Sequence, residues 1–162
     1  MDQIIEMDDN SNFQIFRHAT KKKVDFNTQF TVFIVSFKFL HLSHKANKLT
    51  SIVPMLLITG FPGFVKKIYA VNYKNGYWQG MYQWKSLENL EEYKRSFVFK
   101  MMNKRAIQES IKSIHYENKS LDTFIKEKVK YNNEHITPYL KISNQKLYEI
   151  SCKDLSKYLS LL

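Results

Sequence analysis

Five histidines and one cysteine are the strongest potential metal ligands in this sequence, and their spacing removes most of the chemistry such groups support. His18, His41, His44, His115 and His135 are scattered, and Cys152 has no second ligand at zinc spacing, so no metal centre is expected. His41 and His44 stand three apart. On a helix they would share a face and could hold a metal or a phosphate, whereas in a loop they are two exposed imidazoles. There is no Gly-rich phosphate loop and no Gly-x-Ser-x-Gly elbow, which argues against nucleotide-dependent and serine-hydrolase chemistry. What the chain has in quantity is aromatic rings, with 10 Tyr, 12 Phe and 2 Trp. Tyr69, Tyr82 and Trp84 lie within a short stretch, where rings can wall a pocket for an apolar ligand or stack the bases of a single-stranded nucleic acid.

The elements that must position these rings follow from hydrophobic pattern and turn chemistry. Phe30 to Leu40 is β-branched and aromatic at every alternation, which predicts a strand covered on both faces. Ser43 or Asn47 caps a helix toward Ile58 that Pro54 kinks or restarts, and Gly60 ends it. After Phe61-Pro62-Gly63 a second strand runs from Phe64 to Tyr73, and Asn75-Gly76 predicts a two-residue hairpin into a third strand, Tyr77 to Trp84. That register sets Tyr73 against Trp78, Tyr69 against Tyr82 and Lys67 against Trp84. One face is then aromatic, while Asn72, Gln79 and Gln83 make the other an amide-bearing surface suited to a wet cavity or an interface. Ser86 caps a helix with Glu88 in its first turn, and Leu87, Leu90, Tyr93, Phe97, Val98 and Met101 form its apolar stripe. A fourth strand is expected over Ile111 to Glu117.

The order is β-α-β-β-α-β, a ferredoxin-like α+β fold with a four-stranded antiparallel sheet. Both helices cover one face, so the apolar second face of the first strand calls for a second copy of the chain, giving a dimeric α+β barrel. The expected organisation is an N-terminal arm over 1–28, partly disordered or loosely packed, the barrel domain over 29–118, and a C-terminal extension over 119–162. In the extension Leu155, Tyr158, Leu159 and Leu162 suggest a terminal helix.

Net charge is +10, all of it in Asn10 to Leu87, where Asp25 is the sole acid. Such a field attracts nucleic acid, an anionic surface or an acidic ligand, but a lysine-rich solvated surface explains it as well. The start of the sequence lacks the basic flank and apolar stretch of a secretory signal, and Cys152 has no internal partner. The apolar runs Phe30 to Leu42 and Ile52 to Val65 are too short and too interrupted to span a bilayer. A cytoplasmic protein without a membrane segment is expected.

The stretch Phe61-Pro62-Gly63-Phe64-Val65-Lys66-Lys67-Ile68-Tyr69 and, after the hairpin, Gly80-Met81-Tyr82-Gln83-Trp84-Lys85-Ser86-Leu87 resemble the dimeric α+β barrel superfamily. The similarity is greatest to provisionally assigned monooxygenases related to the antibiotic biosynthesis monooxygenases. It rests on the Pro-Gly turn and the Gly-x-Tyr-x-Trp-x-Ser strand-to-helix junction, and covers about Phe30 to Glu117. The resemblance implies a homodimer, a pocket against the sheet, and cofactor-independent oxidation of an aromatic or apolar substrate. Haem-degrading members carry a Trp and a His where this chain has Tyr93 and Asn103, so haem degradation is not expected.

Oxidation without a cofactor needs a base, an apolar cage and donors to a developing enolate. His115 is the candidate base, and Tyr69, Tyr82, Trp84 and Tyr93 are the candidate substrate-binding residues, with no metal and no cofactor. Two alternatives stay open: a non-catalytic dimeric ligand-binding or stress-related protein, and a basic module for single-stranded nucleic acid. The third strand lacks the Lys/Arg-Gly-Phe-Gly/Ala-Phe pattern of the RNA-binding modules, which makes nucleic acid the less expected partner.

Overall fold

The computed structural model describes residues 4–7, 9–21, 29–40 and 43–128. Lys22, Lys23, His41, His135, Cys152 and the terminal helix expected at Leu155 to Leu162 lie outside the described residues. The fold is mixed α+β, built on an antiparallel sheet curled into a half-barrel.

Its strands are β1 (Ile4–Glu6), β2 (Asn12–Thr20), β3 (Thr31–Phe37), β4 (Phe64–Val71), β5 (Trp78–Trp84) and β6 (Lys112–Tyr116), in the spatial order β1-β2-β4-β5-β3-β6. The sheet therefore has six strands, not the four expected. The two extra come from residues 4–6 and 12–20 and extend the β4 edge. They escape a period-two reading because β2 carries a bulge: the register shifts between Ile15 and Arg17, and Phe16 becomes the additional residue. Ile15 is buried on one side of the sheet, while Phe16 packs edge-on against Trp78 at 5.3 Å on the other.

Between β3 and β4 stand α1 (His44–Thr50) and α2 (Ile52–Thr59). Ser43 caps the first, its Oγ accepting from the Ala46 N–H. Pro54 falls in the first turn of α2, where its missing N–H leaves no helical bond unmade, so the helix restarts instead of kinking. Gly63 then makes the turn into β4 at φ +70°, its carbonyl accepting from the Lys85 N–H at 2.8 Å. A Cβ there would lie 2.1 Å from the Asn89 Oδ1. Gly63→Ala should lower stability by about 1–3 kcal/mol, read as a shifted urea midpoint with an unchanged slope.

The β4–β5 hairpin differs from expectation by two residues. Val71 pairs with Trp78, Tyr69 with Gly80 and Lys67 with Tyr82. The loop is Tyr73 to Gly76, closed by the Asn72 N–H on the Tyr77 carbonyl at 2.8 Å. Asn72 causes the longer loop: its Oδ1 accepts from both the Lys74 and Asn75 N–H groups, an Asx turn that competes with the tight Asn-Gly turn. A shift of two keeps every side chain on its predicted side.

The helix expected as one stripe after Ser86 is two, α3 (Leu87–Arg95) and α4 (Phe97–Lys104), because Ser96 leaves helical geometry and caps α4 through the Phe99 N–H. Leu90, Tyr93 and Val98 face the core, but the break turns Phe97 outward, 74% exposed. Helices α1 to α4 cover the aromatic face, whose core joins Phe33, Val35, Phe64, Tyr82, Trp84 and Tyr93.

On the opposite face α5 (Leu121–Lys128) docks across the ends of β5 and β6. Gln83 Oε1 accepts from the Leu121 N–H at 2.8 Å, Lys66 pairs with Asp122 at 2.6 Å, and Phe124 packs on Tyr116 at 5.2 Å. Val32, Ile34, Ile68 and Met81 on this face are buried within one chain, so their burial does not require a twin subunit. The amide surface is likewise not open to water, since the Gln79 amide nitrogen donates to the Ser36 Oγ at 3.2 Å. Among the described residues no helix is long and apolar enough to cross a membrane.

Candidate functional site

Between the aromatic face and the helices above it lies a cavity of about 60 Å3. Phe37, Lys67, Tyr69, Trp78, Gly80 and Tyr82 form its floor, and its roof is made by Pro54 and Ile58 of α2, Tyr93 of α3, and Val98, Met101 and Met102 of α4. Gly80 leaves room for the Tyr82 ring: a Cβ there would lie 2.8 Å from it, so a larger residue would displace that ring.

Lys67 is the unusual member. It is only 4% exposed, and its Nζ lies 3.9 Å from the Tyr69 ring centroid and 4.3 Å from that of Tyr82. Among the described residues no carboxylate pairs with it. Burial pushes its pKa well below the ordinary lysine value, and the Arg17 guanidinium pushes it further the same way. Arg17 is fixed beside the cavity by donating to the Ser51 Oγ and to the Lys48 carbonyl. On the same side Arg105 donates to Asn47 Oδ1 and Thr50 Oγ1 and lies over the Phe39 ring.

The tyrosines act the opposite way. Burial raises the pKa of Tyr69, Tyr82 and Tyr93, so all three hydroxyls keep their protons. The Tyr93 hydroxyl donates to that of Tyr82 at 3.4 Å, and the Tyr82 hydroxyl points to the Met102 sulfur at 3.9 Å. The Tyr69 hydroxyl is buried without a hydrogen-bond partner. Together these groups make an apolar cage holding one amine whose charged form burial disfavours and three phenols restricted to donating or accepting hydrogen bonds. Such a set can take a proton from a bound molecule and support the charge that forms.

Of the residues singled out in the sequence, Tyr69, Tyr82 and Tyr93 line this cavity. Trp84 is fully buried behind them, stacked on Tyr93 at 4.9 Å, and is not a lining residue. His115 lies on β6, one of the two edge strands, with its side chain 41% exposed and its Nε2 4.0 Å from Glu117. It is not among the cavity residues. His44 stacks on Trp78 at 5.6 Å. Among the described residues no group of three or more His, Cys, Asp or Glu could hold a metal. Lys67 is in the expected hairpin register but is not among the candidate site residues read from the sequence. The available signal was its alternation, which places it on the same face as Tyr69 and Tyr82 and opposite to Lys66.

No family model and no curated protein matches the chain. Solved structures similar in fold include a provisionally assigned monooxygenase of Fusobacterium nucleatum subsp. nucleatum ATCC 25586, at 12% identity and TM-score 0.44, covering 66% of this chain and 49% of that one. Another provisionally assigned monooxygenase, of Lactobacillus acidophilus NCFM, is 11% identical with TM-score 0.47, over 67% of this chain and 52% of that one. An anthrone oxidase-like protein is 14% identical with TM-score 0.42, over 66% of this chain and 52% of that one. The chain spans about half the length of these proteins.

Proposed function

We propose that this chain is a small-molecule pocket protein that oxidises an aromatic or apolar substrate with molecular oxygen and no cofactor. The observation that carries this reading is the desolvated Lys67, without a carboxylate partner among the described residues, in a cage of tyrosines. A quinol or anthrone bound there gives a proton to the Lys67 amine, and the resulting carbanion or phenolate passes an electron to molecular oxygen. For an anthrone-type methylene, recombination gives a hydroperoxide that loses water to leave a ketone, so one methylene and one dioxygen become one carbonyl and one water. Lys67 gives its proton to the peroxide anion to form that hydroperoxide, then takes the second C–H proton as the O–O bond breaks and passes it to the departing hydroxide. The tyrosine hydroxyls hold the oxyanion meanwhile.

The cavity admits dioxygen as it stands, but it is well under the ~150 Å3 that holds a benzene in an apolar interior. Substrate entry therefore involves the unbranched, adaptable side chains of Met101 and Met102. This small volume is also what favours the second reading, ligand binding without turnover. The nucleic-acid reading is disfavoured by the burial of Tyr82 and Trp84, whose faces are not free to stack on bases. A homodimer belongs to the proposal through β6, where Ile114 stands 51% exposed on an edge that no described strand pairs.

The test is oxygen uptake with a panel of hydroquinones and anthrone, alongside sedimentation. Uptake is expected, and His115→Ala should keep it within about twofold because the imidazole lies outside the cavity. No uptake with any of these compounds, together with tight binding of one, would replace oxidation by the binding reading.

A further inference from the structure

The buried amine has a second use that requires the cavity but not the oxidation. An amine in an apolar hollow, close to another cation and without a carboxylate partner, has the environment that turns a lysine into a nucleophile. Lys67 meets each condition among the described residues. It sits in the cavity floor, and Arg17 is the charged group acting on it. Its Nζ lies against the Tyr69 ring, whose own hydroxyl is buried and unpartnered. An unsatisfied buried hydroxyl on the cavity floor is a donor waiting for an acceptor that the protein itself does not supply.

We infer that Lys67 captures a small apolar or aromatic aldehyde or ketone as an imine, with the Tyr69 hydroxyl placed to donate to its carbonyl oxygen. The amine nitrogen attacks the carbonyl carbon and the carbonyl oxygen becomes a hydroxyl, giving a carbinolamine. The remaining nitrogen proton passes to that hydroxyl as it departs, so water leaves and the carbon–nitrogen double bond forms, while the Tyr69 hydroxyl donates a hydrogen bond to the departing oxygen and keeps its own proton. One carbonyl compound and the neutral Lys67 amine thus give one imine and one water, with no oxidation or reduction. An apolar carbonyl compound suits the walls, because Phe37, Ile58, Trp78 and Val98 offer it nothing but contact area.

The test traps the imine in the intact protein. Acetaldehyde, which is small enough for the cavity, and benzaldehyde are each incubated at about pH 7 with sodium cyanoborohydride, and peptide mapping by mass locates the alkylated lysines. Lys67 should be labelled at least about tenfold faster than any other lysine, because an ordinary lysine amine in water is almost wholly protonated at that pH, whereas burial disfavours the charged form of Lys67. Lys67→Met should lose that label while the surface background stays as it was. Labelling spread over surface lysines, with Lys67 modified only in denaturant, would overturn the inference. Labelling at Lys67 without oxygen uptake would sustain it while removing the oxidation, and uptake without labelling would do the reverse.

Discussion

Replacing Lys67 with Met should make the protein more stable and inactive at once. Holding an amine in an apolar site with no carboxylate partner among the described residues costs about 1–3 kcal/mol, and an isosteric thioether removes that cost, so Tm should rise by about 3–10 °C. The pH dependence identifies the cause. Lys67 has a folded-state pKa below its unfolded value, so between the two the unfolded chain holds the extra proton and wild-type stability rises with pH. Below the folded pKa the penalty is fully present, and as pH approaches ~10.5, the unfolded value, it fades. The advantage of Lys67→Met should accordingly be greatest at low pH and shrink as pH rises. Oxygen uptake should fall by about 100-fold or more, the usual scale for losing a positioned base. A variant with unchanged stability across this range would mean that the amine is solvated, and a variant with full uptake would take it out of the reaction.

Trp84→Ala should have the opposite signature. The indole contacts Phe61, Phe64, Tyr82 and Tyr93 and has no exposed surface, so truncation leaves a void beneath the site rather than within it. The expected loss is about 3–5 kcal/mol, enough to unfold a marginal domain at about 37 °C. Trp84→Phe keeps most of the packing and should retain both fold and ligand binding, measured by thermal melts and by quenching of the remaining Trp78. Loss of binding in a fully folded Trp84→Phe protein would show the indole taking part in recognition.

The sequence revealed elements wherever one local signal decided them. Ser86 with Glu88 marked the start of α3, and Leu90 and Tyr93 marked its buried side. Of the two caps expected, Ser43 and Asn47, Ser43 is the one that starts α1, and Gly60 ends α2. Where two local preferences compete, the pattern cannot choose. Asn-Gly favours a tight loop, but the Asn72 side chain closes a wider one. The apolar spacing from Leu87 to Met101 reads straight through Ser96, which caps a new helix. The bulge at Phe16 hides β2 by breaking its alternation. The site was legible in its walls and not in its charge. Tyr69, Tyr82 and Tyr93 announce themselves by ring content, whereas the importance of Lys67 lies in burial, which depends on β2 pairing beside it and on α2, α3 and α4 arriving over it. His115 drew notice as a titratable group in a strand, and strand membership alone does not distinguish a central strand from an outer one.

The hairpin also bears on how such a chain can vary. Because successive side chains project to opposite sides, gaining or losing loop residues in pairs leaves the make-up of the chamber intact, as the Tyr73 to Gly76 loop already illustrates. A single inserted residue would swing Gln79, Met81 and Gln83 inward and expel Tyr82 and Trp84, exchanging one lining for another in one step. Length parity at this bend thus guards the identity of the chamber more strictly than the amino acids of the bend itself.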